Sequence, residues 1–168
     1  MKCLSLWQPW ATLLVSGAKH VETRGWPIQY RGPLLIHAAK KWSGELADIC
    51  ISKPFRDALQ EFGVPPQRHS WTTADLAAKR QGWGMPFGAI IGRVDVMDCI
   101  ATKFVVAQGV WAPVVKNGNL VICETERLFG DYSPGRFAFL CSNQMRFDEP
   151  IPYRGMQGLF EVPGEVLR

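Results

Sequence analysis

Apolar and polar positions begin to alternate at the very start of this chain. Leu4-Ser5-Leu6-Trp7 reads as a short strand. Pro9 suits the first position of a helix, where its missing N–H costs nothing. Leu13, Leu14 and Gly17 follow Trp10 at helical spacing, and Gly17 is a natural C-terminal stop, which predicts a helix over about 9–17. After a turn at Arg31-Gly32-Pro33, the continuous apolar run from Leu34 to Ala39 predicts a buried strand. A second helical stretch spans about 43–62, with Ser43 as cap and Glu45 in its first turn. Pro54 should break or kink it.

Beyond residue 62 the pattern changes. Residues 63–87 are rich in turn formers and hold one short helical candidate, Thr73 to Arg80; they are expected as an insertion packed on the main body, either a lid or a passive excursion. Gly88 to Ile100 begins apolar and then alternates, the clearest strand in the chain. Residues 103–118 are irregular, with room for a short helix and a turn signal at Asn117-Gly118. Strands are predicted at 120–123 and 136–141, separated by a loop at 130–135, with a last glycine-interrupted one over 151–162. Five or six strands with two early helices and no regular βαβ alternation predict a mixed barrel of the α+β class. Closure would also hide the edge strands.

At 168 residues the chain suits one compact domain, 1–168, with a sizeable core. No apolar run reaches the roughly 20 residues of a membrane helix, and the N-terminal stretch, broken by Gln8-Pro9, lacks the form of a signal peptide. The five cysteines are scattered without Cys-x-x-Cys or Cys/His ligand spacing, which argues against a metal site and against a disulfide framework. Reduced thiols and a cytoplasmic (intracellular) location are therefore expected. The net charge of +4 permits a nucleic-acid partner without demanding one. Seven tryptophans add side chains suited to cores and to stacking on bases.

The chemistry concentrates directly after the first helix. Lys19, Glu22 and Arg24 place two cations and an acid within six residues, just before Gly25-Trp26-Pro27. On a strand Glu22 and Arg24 share a face, because that face repeats every two residues. Lys19 can swing toward them from the preceding turn. Such a cluster holds a polar or anionic ligand, or it is a plain ion pair worth at most about 1 kcal/mol at a surface.

These residues carry a resemblance. Gly17, Lys19, Glu22 and Arg24 complete the pattern Gly-x-Lys-x-x-Glu-x-Arg, and Leu4 to Val15, with its Gln8-Pro9-Trp10-Ala11 core, resembles the coactivator-type branch of the ASCH (activating signal cointegrator 1 homology) domain family. Arg31 to Ile36, Gly88 to Cys99, Arg136 to Leu140 and Pro152 to Gly155 are similar too, so only 63–87 and 103–130 stand apart. The resemblance implies a PUA-like fold, with a mixed β-barrel of five to six strands, flanking helices and a cleft between them. It implies a nucleic acid, RNA or DNA, or a nucleoside as partner, no cofactor, and nothing about protein partners. Some small bacterial members deacetylate N4-acetylcytidine with a lysine, a threonine and a distant glutamate. Here Lys19 matches the lysine while Glu22 stands at the threonine position, so an amidohydrolase would place Lys19 and Glu22 at its centre.

For binding, the expected ligand-facing residues are Ser5, Trp7, Gln8, Lys19, Glu22, Arg24, Trp26 and Arg136. Trp7, Gln8 and Trp10 sit where the first strand meets the first helix and should line the same cleft, with Trp10 the more core-like tryptophan. Glu22 suits a base amino group, Gln8 a base edge, and Arg24 a phosphate. Arg136 would reach the cleft mouth. Lys40, Lys41, Arg146 and Arg154 form either a phosphate-tracking surface or a solvated charged face. His37, inside an apolar run, reads as a hydrogen-bonded core histidine.

Overall fold

The computed structural model describes residues 1–64, 84–103, 105–107, 113–116 and 119–167. The first strand, β1 (Lys2–Leu6), leads into α1 (Trp10–Ser16), which Gly17 ends in the left-handed conformation at φ 86°. Strands β2 (Val21–Arg24) and β3 (Gly32–Ala38) follow. The stretch predicted as one helix over 43–62 is two, α2 (Gly44–Ile51) and α3 (Lys53–Glu61). Ser43 caps α2 by accepting the Leu46 N–H, and the break falls at Ser52, which puts Pro54 in the first turn of α3. There a missing N–H leaves no carbonyl orphaned.

Strand β4 (Ala89–Ala101) is as long as its pattern suggested. Between it and the next long strand lie β5 (Val105–Ala107), β6 (Val114–Lys116) and β7 (Asn119–Ile122), which form a small sheet of their own. Within 103–118 the described residues include the strands β5 and β6, and the remaining stretch where a short helix was allowed lies outside the described residues. Helix α4 (Glu124–Leu128) was not foreseen. The strand expected over 136–141 extends far beyond that range as β8 (Phe137–Pro152). The stretch 151–162 therefore divides between the end of β8 and a separate short β9 (Leu159–Glu161). The helical candidate Thr73–Arg80 lies outside the described residues.

Six strands make the main sheet in the order β2-β8-β4-β3-β1-β9. All neighbours are antiparallel except β1 and β3, so the sheet is mixed. Three register shifts interrupt β4–β8 and one interrupts β3–β4. Each such irregularity bends a strand and deepens its twist, and the sheet curls into a half-barrel. Inside the curl, Leu14 and Val15 of α1 pack on Leu34, Ile36, Val94 and Phe139. From its other side α1 gives Leu13 to a second cluster with Phe55, Leu59 and Phe129. A helix of only 7 residues is marginal alone. It is held by apolar contacts on both sides, and it fixes where Gly17 and the following motif emerge.

Candidate functional site

The turn after Gly17 returns the Lys19 N–H to the Leu13 carbonyl, 3.0 Å away, so Lys19 enters the fold at the base of α1. Its side chain is 1% exposed. The ammonium donates to the Val21 carbonyl and lies 3.7 Å from Glu22 Oε2 and 3.9 Å from Glu126 Oε1. Glu22 and Arg24 share a strand face, as the period of two requires, and Arg24 Nε lies 3.0 Å from Glu22 Oε1. The Nε–H is not aimed at that oxygen, so the contact is a charge pair without hydrogen-bond geometry. Two cations and two carboxylates thus alternate through this corner, and their charges balance. A buried ion costs several kcal/mol unless it is paired and hydrogen-bonded, so the balance is a condition for the corner to exist.

Glu126 is the residue that sequence reasoning missed. It sits on α4, whose N-terminus is capped by Cys123 Sγ accepting the Glu126 N–H at 3.3 Å. Its carboxylate is 2% exposed. It accepts the His20 N–H at 2.7 Å and the Val21 N–H at 3.0 Å, which caps the start of β2 from more than a hundred residues away. The Tyr132 hydroxyl donates to it at 3.4 Å. Burial, then the negative charges of Glu126 and Glu22, push the Tyr132 phenol well above its ordinary range, so it stays a neutral donor. Nothing in the local spacing around Glu126 marks it, because its partners come from the far end of the chain.

Glu22 faces a cleft of about 340 Å³. Trp10, Thr23, Gly130, Asp131 and Arg136 are among its other walls. Among the described residues, no N–H or O–H is hydrogen-bonded to the Glu22 carboxylate; its two cations hold it from behind. The Thr23 hydroxyl accepts the Asp131 N–H at 3.1 Å. Arg136 is tied at the rim, donating from Nε to the Asp131 carbonyl at 3.1 Å and from Nη2 to the Thr23 carbonyl at 3.3 Å. Hydrogen bonds from Ser133, with Arg136 adding to them, hold the Asp131 carboxyl below its ordinary range. Trp10 stands edge-on to Phe55, with ring centroids 5.9 Å apart.

The other expected site residues fall elsewhere. Lys19 lies behind Glu22 and is not a wall of this cleft. Arg24 extends past Glu22 and donates from Nη2 to the Ser5 carbonyl at 2.8 Å. Gln8 is completely buried; its amide accepts the Thr12 N–H at 3.1 Å and donates to the Pro86 carbonyl at 2.9 Å. With both ends of that amide engaged by backbone, Gln8 serves the junction of β1 and α1. Trp26 is half-buried edge-to-face against Phe139 of the core, centroids 5.5 Å apart. The one cleft expected around Trp7 and Trp10 is two: Trp10 borders the Glu22 cleft, while Ser5 and Trp7 border a second one. Arg146 donates to the Phe62 carbonyl at 3.4 Å. Among the described residues no group of His, Cys, Asp and Glu is placed to hold a metal ion, and no helix is long and apolar enough to cross a membrane.

A model of the ASCH domain family matches residues 4–151. The chain belongs to the ASCH domain family. Its mixed, curled sheet with flanking helices is the α+β architecture expected of a PUA-like ASCH domain. The human and mouse proteins called activating signal cointegrator 1 are each 25% identical to it over 167 residues, which is 98% of this chain and 22% of theirs. The chain thus spans about a fifth of the length of those curated relatives. Crystal structures of two point mutants of ZmASCH, from Zymomonas mobilis, align with it at TM-scores of 0.48 and identities of 15% and 16%. They cover 99% of this chain, and the alignments span 92% and 90% of theirs. Within this ASCH domain the motif glycine ends α1, the lysine and arginine hold the glutamate, and the glutamate alone of the four borders the cleft.

Proposed function

We propose that this ASCH domain binds a nucleobase, free or within a nucleic acid, in the cleft walled by Glu22, with the base held through its amino edge. The observation that carries this reading is the Glu22 carboxylate itself. It is nearly buried, it is flanked by Lys19 and Arg24, and it turns toward a cleft without a hydrogen-bond donor of its own among the described residues. A carboxylate only accepts, and the exocyclic amines of cytosine and adenine only donate. The cleft volume lies within the range of small-ligand pockets. Trp10 supplies an aromatic wall, and Arg136 at the rim supplies a cation for a sugar-phosphate.

The test is a titration of cytidine, adenosine and uridine, and of short single- and double-stranded oligonucleotides at two ionic strengths. Amino-bearing nucleosides should bind at least tenfold tighter than uridine, and Glu22→Gln should remove that preference. Equal affinity for all three nucleosides, or no binding by any probe, rejects the proposal. An amidohydrolase acting on N4-acylated cytidine would use this same cleft. Glu22 lies at its wall, but the Lys19 ammonium stands behind Glu22, bonded to a backbone carbonyl. Release of acetate from N4-acetylcytidine by the wild-type domain, lost in Glu22→Gln, is the result that would favour that second reading.

A further inference from the structure

The second cleft, about 800 Å³, opens between the end of β3 and the segment following β8. Ser5 and His37 are paired residues of the parallel strands β1 and β3, and both side chains reach its floor. His37 is buried, and its Nε2 lies 3.1 Å from the Tyr153 carbonyl, which can only accept. Burial holds its imidazole below the ordinary value, and the positive charge of Lys40 adds to this, so the ring is neutral at pH 7 with its proton on Nε2. Nδ1 is then an acceptor, and the Ser5 hydroxyl, 3.0 Å away, must donate to it. That leaves the Ser5 oxygen as an oriented acceptor on the cleft floor.

Two glycines let the chain pack closely around this floor. A β-carbon on Gly155 would lie 2.4 Å from the His37 ring and 2.6 Å from Ser5 Oγ. One on Gly88 would lie 2.4 Å from the stem of Lys40, which runs flat across that glycine. Lys40 and Arg154 are the charged walls of the cleft, and among the described residues no acid lines it. At the rim Trp7 is 46% exposed, an unusual state for so large an apolar ring. Lys41 Nζ stands 3.6 Å above that ring, a third cation at the same mouth.

We infer that this second cleft is a nucleotide site, taking a phosphate between Lys40 and Arg154 and a base against the indole of Trp7. The two cations supply charge-assisted donors that suit a phosphate, and the indole offers a face that stacks on any base. Among the described residues the site shares no lining residue with the Glu22 cleft, and it stands whether or not that cleft binds a base.

The experiment is a titration of the 15N-labelled domain with AMP, adenosine and inorganic phosphate, read from its backbone amides. AMP should shift the Gly88 and Gly155 amides. Adenosine should bind there at least tenfold more weakly, and phosphate alone should compete. The Lys40→Ala, Arg154→Ala double variant should weaken AMP at least tenfold with an unchanged fold. Trp7→Leu should weaken AMP and adenosine alike, while Trp7→Phe should keep most of the affinity. Gly155→Ala should displace the Ser5–His37 pair on the floor and weaken AMP; should that variant unfold, the surface variants carry the test alone. Shifts confined to the amides of Gly130 and Asp131, AMP affinity indifferent to the Trp7→Leu and double variants, or no AMP binding at all would each overturn the proposal.

Discussion

Arg24 Nη2 donates to the carbonyl of Ser5 at 2.8 Å and thereby joins β2, at one margin of the main sheet, to β1, near the other. The carbonyl is available for a definite reason. Leu6 O accepts the Ala39 N–H on the β3 side, so Ser5 O, one residue earlier, points the opposite way. On that side β9 pairs only with Lys2 to Leu4 and stops short of Ser5. A carbonyl left without a partner there would be an open edge, and the guanidinium fills it. Hydrogen bonds to charged groups contribute about 1.5–3 kcal/mol. Arg24→Ala should lower the unfolding free energy by about that amount, measured by urea denaturation. A loss below about 0.5 kcal/mol would mean that this bond does not hold the curl closed.

Glu126 makes a stronger demand. Removing its charge leaves Lys19 facing Glu22 with one counter-charge where there were two, inside protein. Breaking a buried pair by deleting one partner costs about 3–5 kcal/mol. Glu126→Gln should show a loss of that order in urea midpoint and slope, and Glu126→Ala more, since it also orphans the His20 and Val21 N–H groups. A Glu126→Ala domain with wild-type stability would contradict the account of this corner.

Glu22 should separate binding from folding more cleanly than its neighbours do. Glu22→Gln keeps the shape and removes the charge, and Glu22 accepts no hydrogen bond among the described residues that the change would break. We expect at least a tenfold loss of affinity for amino-bearing nucleosides, and a loss of melting temperature smaller than in Glu126→Gln, because Glu126 also accepts the His20 and Val21 N–H groups while Glu22 gives up only its charge pairs. The comparison of the two variants by calorimetry is the check; a larger stability loss in Glu22→Gln, with unchanged affinity, would make Glu22 a structural residue only.

His37 sets an acid limit. Its folded-state value is lowered, so below the ordinary value of about 6.5 the unfolded chain takes up a proton that the folded chain resists. Stability contributed by the neutral ring is therefore complete above that value and declines as pH falls through it toward the lower folded value. The drop in urea midpoint between pH 7.5 and pH 5.5 should be larger in the wild type than in His37→Gln. Equal drops would show that another group carries the acid sensitivity.

Thiol reactivity offers an independent check on the core. Burial pushes the thiols of Cys3, Cys50 and Cys141 up to about 12 each, and none lies at the surface. At pH 8 these three should resist alkylation in the native domain and react fully in urea, as mapped by mass spectrometry. Rapid native labelling of Cys141 would place it outside the core described here.

Much of this was legible in the chain because it was local. The spacing from Trp10 to Gly17 marked α1, the period of two put Glu22 and Arg24 on one face, and Pro54 announced the division between α2 and α3. What escaped was decided by partners distant in sequence. Gln8 suits a base edge until Pro86 and Thr12 claim both ends of its amide. Trp7 and Trp10 are three residues apart, yet the turn into α1 sends them to different clefts. The full length of β8 was hidden because its second half pairs with the first half of β4 and is largely exposed, so it lacks a continuous apolar signature. Glu126 looks like any helical surface glutamate until β2 is laid against it.

The dependence of β2 on late residues also orders the chain in time. Its ladder partner is β8 and its N-terminal cap is Glu126, both in the last third of the sequence. As the chain leaves the ribosome, the segment carrying Lys19 to Arg24 emerges before that last third and stays without these partners until it follows. The Lys19–Arg24 segment is thus made before the strand it pairs with and the carboxylate that caps it.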